Sequence, residues 1–281
     1  MPVLPRPAVN GGKARGLAAI AAALIVGLSP LSVARGQTSS GPQVRDGGII
    51  RGPSGGKRIA LEFTGHEFAE GGQVILDALQ RHHARASFFL TGDFLRRPAF
   101  AALVQRIVAE GHYLGPHSDR HLLCCAWEAG ARTLVTREAF GRDLDDNLRE
   151  IERFGVARAS VRYWVPAYEW YNSEIVRWSS EAGLHLVNFT PGTRSNADYT
   201  GEADKNFVGS QTIFDSILAR ERAEASGLDG FLLLLHIGAG PGRTDKMHAR
   251  FGELLDALSS RGYRFVRVDE LMQFQTTRRI P

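Results

Sequence analysis

Residues 57–92 read KRIALEFTGHEFAEGGQVILDALQRHHARASFFLTG, and the division of that stretch decides the fold. RIALEF is a short apolar run of strand type, closed by the turn-forming Thr64-Gly65. QVILDALQRHH returns apolar side chains at helical spacing, and ASFFLTG is a second apolar strand. Strand, helix and strand in that order make a βαβ unit, whose two strands run parallel.

The alternation continues along the chain. AFAALVQRIVAEG, TREAFGRDLDDNLREIERFG, SEIVRWSSEAG, QTIFDSILARERA and DKMHARFGELLDALSSRG all have helical spacing. HYLGPHS, ASVRYWVP and LHLVNFTPG read as strands between them, and GFLLLLHIG is apolar enough to require a buried strand. YRFVRVDELMQF closes the chain with a strand and a helical turn. About seven such repeats predict an α/β fold, a parallel (β/α) barrel of about seven strands spanning residues 57–275. In such a barrel the site forms at the C-terminal ends of the strands. His66-Glu67, His117, Pro166-Ala167-Tyr168-Glu169 and His236 all fall at or just past a strand end.

The segments outside the barrel have other compositions. Residues 1–36 carry Lys13 and Arg15, a 12-residue apolar run LAAIAAALIVGL and the small-x-small site Ala34-Arg35-Gly36. This is the layout of a cleaved signal peptide, too short in its apolar run to span a bilayer comfortably; a retained anchor is the alternative. Residues 37–56 are rich in Gly, Ser and Pro and predict a flexible linker, and residues 276–281 form a tail. The leader holds four of the 34 basic residues and no acid, leaving 30 basic against 30 acidic residues. The mature chain is expected to be exported, periplasmic or extracellular, without a membrane span and without affinity for nucleic acid. Cys124-Cys125 are adjacent, so a bridge between them would staple nothing, and they are expected to be free thiols.

Three groups carry the chemistry. His117 and His121 have H-x-x-x-H spacing, which on a helical turn would place both rings on one face and toward one ion. Two neutral histidines with one carboxylate form a common zinc site with an open position for water, while unrelated surface histidines are the plain reading. His236 ends a buried strand, so its ring is either a hydrogen-bonded core group or a catalytic one. His82, His83, His185 and His248 are expected to be solvated or structural. Trp164, Tyr168, Trp170 and Tyr171 cluster near one predicted barrel mouth; such rings stack on sugars, and some must be core.

These residues resemble a known family. Gly111-His112-Tyr113-Leu114-Gly115-Pro116-His117-Ser118-x-x-His121 is similar to the G-H-x-x-G-x-H-[ST]-x-x-H segment of polysaccharide deacetylases, carbohydrate esterase family 4. Ala86-Ser87-Phe88-Phe89-Leu90-x-Gly92 resembles that family's A-T-F-F-x-x-G strand. Leu235-His236 resembles its late strand end, and Pro166-Ala167-Tyr168 stands where it has R-P-P-[YF]. The resemblance implies a distorted (β/α) barrel that removes acetyl groups from N-acetylated sugars. It implies a divalent metal, most often zinc, with His117 and His121 as ligands and His236 as the general acid.

The chain departs from that family at its first strand. The family has T-F-D-D-G there, a general base followed by a metal ligand, and this chain has Glu62-Phe63-Thr64-Gly65-His66. The arginine that braces the base is Val165, and Arg162, three positions earlier, points to the opposite face of its strand. Glu67 on a loop that curls back could supply the ligand carboxylate, or His66 could ligate with Glu67 as base. Glu169, where the family has Gly, is a substitute base, a group for sugar hydroxyls, or a solvated loop acid. Asp198 is a candidate for substrate binding, with Arg194 as its possible partner, and Trp170 and Tyr168 are candidates for a sugar subsite.

Three functions are expected in order. The first is a metal-dependent hydrolase acting on a carbohydrate polymer or oligosaccharide. The second is an inactive glycan-binding protein on the same barrel. The third is a glycosidase using Glu67 and Glu169, whose separation would set its stereochemistry.

Overall fold

Residues 37–56 carry the expectation of a flexible linker, and the structure overturns it from Gln43 onward. In this computed structural model, which describes residues 41–128 and 131–273, β1 (Gln43–Arg45) and β2 (Gly48–Arg51) form an antiparallel hairpin. Its two-residue connection, Asp46-Gly47, has φ of 47° and 85°. Positive φ at both central residues defines the turn type that matches strand twist, and Asp-Gly is a preferred pair for it. The hairpin is tied down by the Tyr171 hydroxyl, which donates to Arg45 O at 2.9 Å, and by Ile49 pairing with Val187. The buried Arg51 guanidinium donates to the Asp229 and Gly227 carbonyls and pairs with Glu224 at 2.8 Å. The leader over residues 1–36 and the tail over 276–281 lie outside the described residues.

Seven strands then follow: β3 (Arg58–Gly65), β4 (Ser87–Leu90), β5 (Tyr113–Pro116), β6 (Tyr163–Trp164), β7 (His185–Leu186), β8 (Phe231–His236) and β9 (Arg264–Val266). Every ladder among them is parallel. The main sheet runs β5-β4-β3-β8, and β9 pairs with the first three residues of β3. The circuit is completed by single backbone hydrogen bonds, Val165 N to Pro116 O at 3.3 Å and Thr190 N to Leu232 O at 2.9 Å. This is the distorted barrel expected, with β6 and β7 reduced to two residues each.

The helices are α1 (Gly72–Arg81), α2 (Gly92–Leu95), α3 (Ala101–Ala109), α4 (Arg137–Glu152), α5 (Ser173–Glu181), α6 (Ser210–Ala223), α7 (Phe251–Ser259) and α8 (Val268–Gln273). Three of them begin on a side-chain cap, from Thr91, Thr136 and Asn172, which satisfies amide groups the helix cannot. None of the described helices is long and apolar enough to cross a membrane.

Period-two alternation sorts β3 into two faces. Ile59, Leu61 and Phe63 pack with the helices, whereas Ala60 joins Phe89, Val165, Val187 and Leu234 inside the barrel. Glu62 and Thr64 share the face of Ala60 and therefore point into the barrel. Trp164 is core, packed on Phe140 with ring centroids 5.6 Å apart. Both cysteines are free and buried, as expected, and burial raises the Cys124 thiol to about 12.

Candidate active site

The loop after β5 delivers His117 and His121, but not on a helical turn as their spacing suggests. Residues 117–121 form no helix, and Ser118 and His121 take φ of 70° and 55°. The loop is braced instead: the Asp143 carboxylate accepts from the amides of Asp119 and Arg120, and Asp119 pairs with Arg96 at 2.6 Å. The Asp119 carboxylate lies so close to Gly92 that a Cβ there would stand 1.8 Å from Oδ1, so that position requires glycine. His117 is held by Asn147, whose side-chain oxygen accepts from the His117 amide at 2.9 Å. Its Nδ1 lies 2.9 Å from Val165 O; a carbonyl can only accept, so Nδ1 carries the proton and Nε2 presents a lone pair. Burial, then His121, pushes the His117 ring well below its ordinary pKa, and burial, then His66, lowers His121 to about 4. Both imidazoles are neutral at pH 7.

The loop after β6 delivers Glu169. Tyr168 and Glu169 both take left-handed backbone, φ 61° and 51°, which costs non-glycine residues roughly 1–2 kcal/mol each. That turn sends the Glu169 carboxylate inward, to 4.0 Å from His117 Nε2, with 12% of its side chain exposed. The solvated-acid reading is overturned. Burial raises its pKa, the nearby His236 opposes that, and Asp198 raises it again. The Thr64 hydroxyl lies close enough to lower it slightly, although it completes no hydrogen bond. Of the eight described non-glycine residues with positive φ, four belong to these two loops, so backbone strain is concentrated at the site.

His236 ends β8 with its ring against Asp198. Nδ1 is 2.7 Å from Oδ1, and the His236 amide donates to Oδ2 at 2.9 Å. Asp198 thus partners His236, not Arg194. Burial works to lower the His236 pKa, but Asp198 and Glu169 outweigh it and raise the ring above its ordinary value. The buried Arg243 fixes the segment after Asp198 by donating to the carbonyls of Thr200 and Val208 at 2.9 Å. Glu70 ties the β3 and β8 loops together, accepting from the amides of Ala239 and Gly240.

The end of β3 differs from expectation. Glu67 is exposed, its carboxylate makes no hydrogen bond or ion pair, and only its backbone carbonyl is used, by Arg97 at 2.7 Å. It lines the mouth of the pocket without reaching His117 or His121. His66 stacks on His121, centroids 4.6 Å apart and planes within 9°, with Nδ1 3.1 Å from the Thr91 hydroxyl. Below them Glu62 has 0% exposure and two oxygens without partners. Burial, then Glu169, raises it to about 8, so it is a neutral acid at pH 7.

These groups line a cavity of about 430 Å³. Phe68, Trp127, Tyr168 and Tyr199 are the exposed aromatic residues among those described, and all four rim it. Trp170 stands behind Trp127, its indole N–H donating to Ala126 O at 2.9 Å. Trp127, Tyr199, Phe68 and Glu62 were not singled out from the sequence. A carboxylate inside an otherwise apolar strand was the available signal for Glu62.

The donor set fits a divalent ion only in part. His117 and His121 are neutral, with a fixed tautomer at His117. The family's carboxylate ligand has no counterpart: a Cβ on Gly65 would meet Ile237 Cγ2 at 2.7 Å and Leu90 Cδ2 at 2.8 Å. Among the described residues no three His, Cys, Asp or Glu side chains are grouped as a metal cluster.

Comparison with known proteins agrees with this geometry. Residues 51–187 match the polysaccharide deacetylase family model. A peptidoglycan-N-acetylglucosamine deacetylase of Listeria monocytogenes is 26% identical over 76% of this chain, which spans only 39% of that protein's length. One from Bacillus cereus is 25% identical over 79% of this chain and 92% of its own. A family 4 carbohydrate esterase pseudoenzyme from Bacillus anthracis superposes with a TM-score of 0.61 at 17% identity, over 82% of this chain and 70% of that one. A mutant of that protein is described as having restored enzymatic activity. The ordered motifs, the matched family model and the shared fold make this chain similar to the polysaccharide deacetylase family, from which it departs by lacking the paired aspartates.

Proposed function

We propose that the chain is a hydrolase that removes acetyl groups from an N-acetylated carbohydrate, with Glu169 as its general base. One observation carries this reading: strained backbone turns the largely enclosed Glu169 carboxylate toward His117, across from the His236–Asp198 pair. Burial moves the Glu169 pKa toward neutrality, where a carboxylate is a more effective base. Glu169 takes a proton from water as the water adds to the acetyl carbonyl. His236, its Nδ1–H held by Asp198, gives its Nε2 proton to the departing amine. The products are acetate and the free amino sugar. A divalent ion, zinc in the family-based expectation, would be held by His117 and His121 and would polarise the acyl oxygen. The exposed aromatic rim and the relatives' names support an N-acetylglucosamine-containing glycan as substrate. The leader-like composition of residues 1–36 supports export to the periplasm or beyond.

The test is acetate release from β-1,4-linked N-acetylglucosamine oligomers, with zinc supplied. Glu169→Gln should lower the rate by about 10²–10⁴-fold, the usual worth of a general base, with oligomer affinity retained. Turnover by the parent and undiminished turnover by Glu169→Gln would overturn the assignment. The closed position at Gly65 favours a second reading, a glycan-binding protein without catalysis; binding with no acetate release under any condition would establish it. The glycosidase reading has less support, because Glu67 is exposed while the Glu169 side chain is only 12% exposed.

A further inference from the structure

A second cavity of about 450 Å³ lies beside the active-site pocket, and the two share Trp127, Glu169, Trp170 and Phe189 in their linings. Both are in the size range of small-ligand sites. Trp127, 59% exposed, stands between them, its ring centroid 5.7 Å from both Tyr168 on one side and Trp170 on the other. The far side of the second cavity is furnished by the leading hairpin, which contributes Arg45, Asp46 and Ile50. The hairpin strand and turn that carry Arg45 and Asp46 precede the family match, which begins at residue 51.

Arg45 and Asp46 are exposed, and neither side chain makes a hydrogen bond or ion pair. Their backbone is nevertheless fixed. Tyr171 holds the Arg45 carbonyl, and a Cβ on Gly48 would stand 2.7 Å from the Tyr171 ring, so the hairpin sits tightly on the barrel. A held backbone presenting an unused cation and an unused carboxylate into a cavity is a recognition element for a polar ligand. An exposed indole at the cavity's edge suits the flat face of a sugar ring.

We infer that the second cavity is a subsite for the neighbouring residue of a glycan chain, with Trp127 as the stacking crest and Arg45 and Asp46 binding that residue's hydroxyl groups. The inference rests on the carbohydrate reading and adds to it a chain-length requirement. A single sugar fills the active-site pocket alone, whereas an oligomer crosses Trp127 and reaches the hairpin.

The experiment is calorimetric titration of the full chain with N-acetylglucosamine and its β-1,4-linked dimer, trimer and pentamer. The comparison protein is the double variant Arg45→Ala/Asp46→Gly, in which glycine keeps the positive φ that the turn needs. The trimer should bind the parent at least about 10-fold more tightly than the monosaccharide, a difference of about 1.4 kcal/mol. The double variant should lose that gain while its monosaccharide affinity and melting temperature stay unchanged. Equal affinity for all lengths in the parent, or a gain that survives in the double variant, overturns the subsite and leaves the hydrolase reading intact. No binding of any oligomer overturns both.

Discussion

Two strand ends of the same barrel have gone opposite ways. At the end of β3 the family's paired aspartates are Thr64 and Gly65, and the space a ligand side chain would use at Gly65 is filled by Ile237 and Leu90. At the end of β6 the family's glycine is Glu169, held in left-handed backbone that glycine would adopt without strain. One end has lost polar groups and closed up, and the other has gained a buried carboxylate at a cost of roughly 1–2 kcal/mol for each left-handed residue. The barrel tolerates this because each strand end contributes its group independently to the same mouth. A site of this kind can be dismantled on one strand and re-equipped on another while the fold is unchanged.

The largest expected effect tests whether base function has moved between these ends. Glu169→Gly restores the family's residue and should lose about as much activity as Glu169→Gln. Adding Thr64→Asp to Glu169→Gly places a carboxylate on the interior face of β3, beside the space Glu169 vacated. The double variant should recover acetate release by about 10–100-fold over Glu169→Gly, part of what a general base contributes. A double variant no better than the single would break the comparison, since the β3 position would then be unable to serve the same water.

A smaller effect concerns Glu62, directly below. Its folded pKa of about 8 lies above the ordinary carboxyl value of 4.5, so folding must keep a proton that the unfolded chain releases. Between those values the unfolded state binds fewer protons, and stability falls as pH rises, by at most about 1.4 kcal/mol per pH unit for one group. Glu62→Gln keeps the shape of the neutral acid and removes the titration. The variant's unfolding free energy should gain on the parent's between pH 5 and pH 8, by up to about 3–4 kcal/mol. Calorimetry at both pH values decides it, and a constant difference would mean that Glu62 is not a neutral buried acid.

Most of the scaffold was legible because it follows from periodicity. Apart from the four-residue α2, the helices from Gly72 to Ser259 came from spacing, and the buried strand at Phe231–His236 came from its apolar run. The hairpin was missed although Arg45-Asp46-Gly47-Gly48 contains a hairpin signature, because the surrounding Gly, Ser and Pro content outweighed it. At the site, His117, His121 and His236 were readable from motif order. Glu169 was readable only as a candidate, because its burial depends on the left-handed turn at Tyr168, which side-chain identity does not announce. Helical geometry between His117 and His121 was the wrong premise for bringing those rings together. Hydrogen bonds to Asp143 and the Asp119–Arg96 pair shape that loop, and such long-range partners leave no trace in local spacing. Asp198 was singled out without its partner for the same reason, being 38 positions from His236.

The smallest effect separates the two ends most directly. Glu67 stands just beyond β3 and is the carboxylate that sequence order offers first as a replacement. Its side chain is exposed and unpaired, and the backbone carbonyl of Glu67 is already engaged by Arg97. A carboxylate in water keeps its solvation and gains little from a distant ion, whereas Glu169 sits desolvated beside His117, where each electrostatic interaction counts for more. Glu67→Gln should therefore change acetate release and zinc content by less than about two-fold, against the loss of acetate release of about 10²–10⁴-fold in Glu169→Gln. Zinc content by mass spectrometry and acetate release on the same preparations make the comparison. A large loss of bound zinc in Glu67→Gln would place a ligand carboxylate at the end of β3, and a loss of acetate release there with Glu169→Gln unaffected would reverse the assignment of the base.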